Sequence, residues 1–200
     1  MVENIFAVNI YAKTLNITNQ LNDKMLKDCQ EQEYYGNVHS YKSDASKEQK
    51  LLDLSVYSQL KKQVLSHSKK YLNEIGHQFD DLQVINSWST KTQEQGFSQF
   101  HTHKNSYISG CYYLEATSPI AFENPIIKKW YYEPMIKFDR KNTATFRSIN
   151  FTPKPKTLIL FPSFLNHRII INNSKKDRHS IAFNIIPKGE FGDLTQKLFL

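Results

Sequence analysis

The stretch from Leu82 to Lys188 most constrains the fold, because it is a succession of short β-forming runs punctuated by turn residues. The runs are LQVINSWST (82–90), SYISGCYYLEA (106–116), SPIAFENP (118–125), TATFRSINFTP (143–153), TLILFPSF (157–164), RIIINNS (168–174) and RHSIAFNII (178–186). Strands this short and this evenly spaced predict an antiparallel sandwich or barrel. TLILFPSF reads as a buried strand followed by a Pro-containing turn.

The first third of the chain has a different texture. NIFAVNIYA (4–12) alternates in the manner of an opening strand. NITNQLNDKMLKDCQEQ (16–32) places apolar residues at 17, 21, 25 and 26, near helical spacing, with Thr18 as a candidate N-cap. Residues 35–50 are polar and aperiodic, which predicts a loop. A second helix is expected within 51–76, most clearly from about 56. Val56, Leu60, Val64, His67, Tyr71 and Leu72 form its apolar stripe, and Gly76 is its stop. No Ser/Gly linker separates the halves. The expectation is one domain over 1–200: a strand and supporting helices in 1–81, a β core in 82–188 and a tail in 189–200.

Composition sets limits on partners. With 40% apolar residues and 13% aromatics in 200 residues, the chain can bury a substantial core. The net charge of +7 is carried by scattered pairs such as Lys61-Lys62 and Lys175-Lys176. An anionic substrate or nucleic acid is permitted by that balance, but a solvated basic surface explains it as well. The two cysteines, Cys29 and Cys111, make neither a disulfide framework nor a metal knuckle. No apolar run approaches the roughly 18 residues of a membrane span, and the N-terminus lacks the features of a signal peptide. A reducing cytoplasm is the expected compartment.

The chemistry lies in two separated motifs. In QFHTHKNSYISGCYYLEA, His101 and His103 stand two residues apart. On a strand such residues share a face, which suits two ligands to one metal ion. Alone the pair is a weak signal, since two such histidines are more often a surface pair. The second motif is TLILFPSFLNHRIIINNSKKDRHSIAFN (157–184). It holds His167 and, eleven residues later, Arg178 with Ser180 on the same face of a strand. An inward guanidinium is costly to bury without an anionic partner, and its fork matches a carboxylate. A third imidazole near a carboxylate receptor describes a metal site with an anionic co-ligand.

HTHKNSYISGCYYL, FENP and FPSFLNH with RHSIAFN agree in order and spacing with one family. The chain resembles the Fe(II)/2-oxoglutarate-dependent oxygenases, in the branch that carries His-x-His where most members carry His-x-Asp. The likeness spans about residues 84–187. It implies a double-stranded β-helix, the jelly-roll or cupin-like barrel. It implies that His101, His103 and His167 hold Fe(II), with His103 in the usual carboxylate position. Arg178, Ser180 and Tyr113 are implied to hold the far carboxylate of 2-oxoglutarate. The implied reaction couples decarboxylation of 2-oxoglutarate by O2 to oxidation of a C–H bond, with hydroxylation as the default outcome and a peptide or protein side chain as the first candidate substrate. Specificity is expected from the stretches 33–50 and 124–146. The Lys128-Lys129-Trp130-Tyr131-Tyr132 run reads as a loop anchored by aromatics.

Two other classes account for part of the pattern. A three-histidine cupin-like dioxygenase without 2-oxoglutarate explains the imidazoles and leaves Arg178 and Ser180 without a role. A non-catalytic barrel acting as a binding module, on nucleic acid for example, suits the charge and makes the three histidines coincidental.

Overall fold

Tyr112 and Tyr113 are adjacent in sequence yet belong to different cores, and this alternation organises the molecule. The computed structural model describes residues 7–115, 118–126, 146–193 and 195–199. In chain order the strands are β1 (Tyr11–Thr14), β2 (Tyr34–Gly36), β3 (Ser40–Ser46), β4 (Asp81–Ser98), β5 (Ile108–Tyr113), β6 (Ile120–Glu123), β7 (Ser148–Phe151), β8 (Thr157–Pro162), β9 (His167–Ile169), β10 (Arg178–Lys188), β11 (Glu190–Phe191) and β12 (Leu198–Phe199). Helix α1 spans Asn19–Glu31 and α2 spans Ser58–Glu74. Two single-turn 3-10 helices, Leu51–Asp53 and Ser55–Tyr57, lead into α2.

Seven strands form one sheet in the order β1-β8-β5-β10-β4-β3-β2, and three form a second in the order β7-β6-β9. All the strand pairings are antiparallel. The architecture is mainly β with N-terminal helices, as expected, arranged as two sheets. A single antiparallel bridge, His101 to His167, ties the end of the β4 segment to β9.

The helices cover the back of the large sheet. Met25 and Cys29 of α1 and Leu60, Val64, Tyr71 and Leu72 of α2 pack against Ile108, Tyr112, Leu158, Leu160, Ile181, Phe183 and Ile185. Fully burying an aliphatic or aromatic side chain contributes about 1.5–3 kcal/mol, so this layer is the main source of stability. Helix α1 is capped by Thr18, whose Oγ1 accepts from the Leu21 amide at 3.2 Å. It is pinned to β5 by the Tyr112 hydroxyl, which donates to Asn22 Oδ1 at 2.9 Å. Gly76 ends the second helix with φ +81°. Gly110 is required where it stands. A Cβ there would strike the Phe183 ring on the neighbouring strand and the Leu160 side chain.

On the front face Cys111, Tyr113, Ile159 and Phe161 meet Ile120 and Phe122 of the small sheet, with Leu165 beside them. Between the sheets lies the cavity described below.

Four local expectations need correction. Residues 34–46, read as part of a loop, form the hairpin β2–β3, pairing Tyr35 with Ala45 and then β3 with β4. Its buried positions are small or polar (Ser43, Ala45, Ser46), so no apolar alternation marks it. The opening strand was expected over 4–12; among the described residues it runs Tyr11–Thr14 against Leu160–Thr157. His101 and His103 do not share a regular strand, because β4 stops at Ser98. In 189–200 the short pair β11–β12 appears. The Lys128–Tyr132 run and most of the 124–146 stretch lie outside the described residues.

Candidate metal centre and co-substrate pocket

His101 and His167 exchange both backbone hydrogen bonds at 3.0 Å, which sets their side chains together on one side of the bridge. His103 follows two residues on, and its amide donates to the Ser163 carbonyl at 3.1 Å. These contacts replace the regular strand expected from the sequence, and the convergence survives. The potential ligand atoms of the three imidazoles all lie within 4.8 Å of one another. Ring centroids are 4.5 Å apart for His101 and His167, 5.0 Å for His103 and His167, and 5.3 Å for His101 and His103. Phe161 packs edge-on against His167 at 4.6 Å.

The hydrogen bonds decide which nitrogens face inward. His167 Nδ1 lies 2.9 Å from the Leu165 carbonyl and His101 Nδ1 lies 3.0 Å from the Gln99 carbonyl. A carbonyl can only accept, so both Nδ1 atoms carry the proton and each Nε2 keeps a free lone pair. His103 Nδ1 lies 2.6 Å from Asn184 Oδ1 and follows the same rule. With Nδ1 of each imidazole fixed by an outer hydrogen bond, Nε2 is the nitrogen each can offer, and the group could hold a metal ion. Burial lowers the pKa of all three imidazoles, that of His167 to about 3. Near neutral pH the donors are therefore uncharged and free of protons that would compete with a metal ion.

The co-substrate candidates lie on the central strands. Arg178 is the first residue of β10, and Tyr113 is the last residue of the antiparallel neighbour β5, paired with Ser180. Alternation turns Arg178, Ser180 and Ala182 forward together with Tyr113 and Cys111. All five line one cavity of about 300 Å3 together with His101, His103 and His167. That volume is at the small end for a ligand pocket.

Arg178 is 1% exposed and Tyr113 is 0% exposed. The guanidinium carbon sits 4.9 Å from the centre of the Tyr113 ring. Among the described residues, Arg178 Nε and Nη1 and the Tyr113 hydroxyl have no hydrogen-bond partner that meets the geometry of a good bond. Native proteins rarely leave such groups unpaired, because each costs desolvation free energy with no return bond. Burial holds the Tyr113 phenol pKa well above its usual value, so its O–H stays a donor. Burial also pushes the neighbouring Cys111 thiol up, which keeps it neutral. The result is a cation with a phenol donor beside it, both unpaired, at the cavity that holds three convergent imidazoles.

The other histidines fall outside this site. His179 turns to the back of β10 and meets Glu115 at 3.1 Å. His67 bonds the Tyr11 hydroxyl at 2.7 Å, and His77 bonds that of Tyr107 at 2.8 Å. The sequence did not single out Ser109 or Asn184 as the support of His103. The alternation Ser109, Cys111, Tyr113 and the matching Arg178, Ser180, Ala182, Asn184 contained that signal. The hairpin β2–β3 also reaches the cavity, through Tyr35, Asn37 and Ala45.

A large sheet backed by helices, a small sheet in front and three imidazole donors between them define a double-stranded β-helix protein with a facial donor set. Residues 86–184 match the sequence family described as "Putative 2OG-Fe(II) oxygenase". Solved structures share the fold at low identity. A prolyl-4-hydroxylase from Pseudomonas putida is 9% identical, covers 91% of this chain and 94% of its own, and has a TM-score of 0.62. HygX from Streptomyces hygroscopicus, solved with nickel and 2-oxoglutarate, is 8% identical, with 90% and 83% covered and a TM-score of 0.61. The α-ketoglutarate-dependent epimerase SnoN from nogalamycin biosynthesis is 8% identical, with 90% and 79% covered and a TM-score of 0.66. A search of curated proteins found no match. None of the described helices is long and apolar enough to cross a membrane.

Proposed function

We propose that the protein is an Fe(II)- and 2-oxoglutarate-dependent hydroxylase. The observation that carries this reading is the buried guanidinium of Arg178, two of whose nitrogens have no partner among the described residues, in the same cavity as the three imidazoles. A metal-only function gives that charge no purpose. A dicarboxylate that chelates the metal at one end and meets Arg178 at the other accounts for both.

His101, His103 and His167 would hold the metal through Nε2, since their Nδ1 protons are spent on Gln99, Asn184 and Leu165. The donor set fits a ferrous ion, since imidazole is a good ligand for iron. With 2-oxoglutarate and O2 present, such an ion supplies the oxidising power, releasing succinate and CO2 as a C–H bond becomes C–OH. The protein's own part is orientation and exclusion of water. Arg178 pairs with the distal carboxylate, the Tyr113 O–H donates to it, and Ser180 offers a second hydroxyl. Packing of Phe161 against His167 holds that ring in place.

For the substrate, we infer a peptide or protein side chain. The support is the shared fold with a prolyl-4-hydroxylase and a cavity edge of neutral polar and aromatic residues, Tyr35, Asn37, Gln49 and Trp88. That edge has no feature that favours nucleic acid over a peptide.

The test is anaerobic calorimetric titration of 2-oxoglutarate into protein loaded with Fe(II) or Mn(II), beside Arg178→Ala and His167→Ala. Metal-dependent binding that weakens in both variants supports the reading. Succinate release then screens peptides. Metal binding without 2-oxoglutarate binding points to the three-histidine dioxygenase class, and binding of neither removes the catalytic reading.

A further inference from the structure

His103 stands where most of the superfamily has a carboxylate, and it brings a requirement that a carboxylate does not have. An imidazole ligates through Nε2 only if its proton is on Nδ1. For His101 and His167 a backbone carbonyl enforces this. For His103 the neighbour is a side-chain amide, and an amide can present either an acceptor or a donor.

We propose that Asn184 is the positioning residue that fixes the His103 tautomer and so offers its Nε2 to the metal. Asn184 is buried on β10. Its Oδ1 lies 2.6 Å from His103 Nδ1 and accepts the Ser109 hydroxyl proton at 2.8 Å, while its Nδ2 donates to Asn86 Oδ1 at 2.8 Å. Ser109 Oγ also lies 2.9 Å from His103 Nδ1. A hydroxyl has one proton, and Asn184 Oδ1 and Ser163 Oγ, the latter 2.9 Å away with its own proton directed to Ser106, both compete for this one. Asn184 Oδ1 can only accept, so His103 Nδ1 carries the hydrogen itself. Were the Asn184 amide turned, its Nδ2 would face the ring, Nδ1 would become an acceptor and the proton would move to Nε2. The Asn86–Asn184 amide pair is thus the switch that sets the third ligand, in place of the fixed charge of an aspartate.

Removing Asn184 Oδ1 has a specific consequence. The freed Ser109 proton can then donate to His103 Nδ1 and invert the tautomer. Asn184→Asp keeps two acceptor oxygens at the site and should preserve it.

The inference rests on the metal-site reading above, but its first readout does not need the metal. Nitrogen-15 spectra of the imidazoles in the metal-free full chain report which nitrogen is protonated. Wild type and Asn184→Asp are expected to show His103 with the proton on Nδ1. Asn184→Ala is expected to shift it to Nε2, and Asn184→Ala with Ser109→Ala to populate both forms. Mn(II) titration is expected to weaken by about 10- to 100-fold in Asn184→Ala and to be restored by Asn184→Asp. Circular dichroism of each variant separates these effects from misfolding. A His103 proton that stays wholly on Nδ1 in folded Asn184→Ala overturns the proposal. So does Asn184→Asp binding Mn(II) as weakly as Asn184→Ala. If the tautomers behave as expected and wild type binds no Mn(II), the oxygenase reading fails and the role of Asn184 in setting the ring stands.

Discussion

Replacing Arg178 with Met should make the ligand-free protein more stable. The guanidinium is 1% exposed and two of its nitrogens are unpaired. An uncompensated buried charge costs about 3–5 kcal/mol. Its contact with the Tyr113 ring returns about 1–2 kcal/mol. The net penalty is about 1–4 kcal/mol. Methionine has similar length, carries no charge and fills irregular space. For a chain of this size 1 kcal/mol corresponds to about 2–4 °C, so the melting temperature of Arg178→Met should rise by roughly 2–16 °C. The gap narrows or closes with Mn(II) and 2-oxoglutarate. At a concentration of 100 Kd the wild type gains about 2.7 kcal/mol, and the variant gains almost nothing from the co-substrate. Differential scanning fluorimetry with and without ligands reads both effects. A ligand-free variant that melts at or below the wild-type temperature would refute the reasoning, because it would mean that the guanidinium is already satisfied.

Three further outcomes are expected. Tyr113→Phe should bind 2-oxoglutarate about 10- to 100-fold more weakly by calorimetry, the loss of one hydrogen bond to a charged group, while its ligand-free stability is not reduced. Stability should fall with acid. His167 has a pKa of about 3 when folded against 6.5 unfolded, so the unfolded chain takes up more protons below pH 6.5, and folding loses about 2 kcal/mol between pH 7.5 and pH 5. Urea unfolding of the metal-free protein checks this, and a His167→Asn variant with an undiminished slope would count against it. Gly110→Ala should cost about 1–3 kcal/mol in the same assay, because the new methyl meets Phe183 and Leu160; an unchanged urea midpoint would show that these side chains can yield.

Much of the site was legible because strand alternation is a strong geometric rule. Ser109, Cys111 and Tyr113 do share the cavity face, and Tyr112 does turn to the helices. The helix cap at Thr18 and the stop at Gly76 were readable from local chemistry. What escaped was structure made by partners distant in sequence. The hairpin β2–β3 forms on the edge of β4 from small and polar residues, so its pattern carries no apolar signature. His101 and His103 converge through one bridge and one backbone hydrogen bond, which no local periodicity encodes. The Asn184–His103 contact joins residues 81 positions apart.

The division of β5 and β10 into a helix-packed side and a cavity side bears on how such a protein can change over time. Side chains at 109, 111, 113, 178, 180, 182 and 184 touch the cavity or its support, whereas 112, 181, 183 and 185 belong to the helix side. Selection for a new ligand can act on the first set with little effect on the interior that keeps the chain folded. Two adjacent residues on either strand can therefore be under quite different constraints, one free to drift with chemistry and the next held by packing.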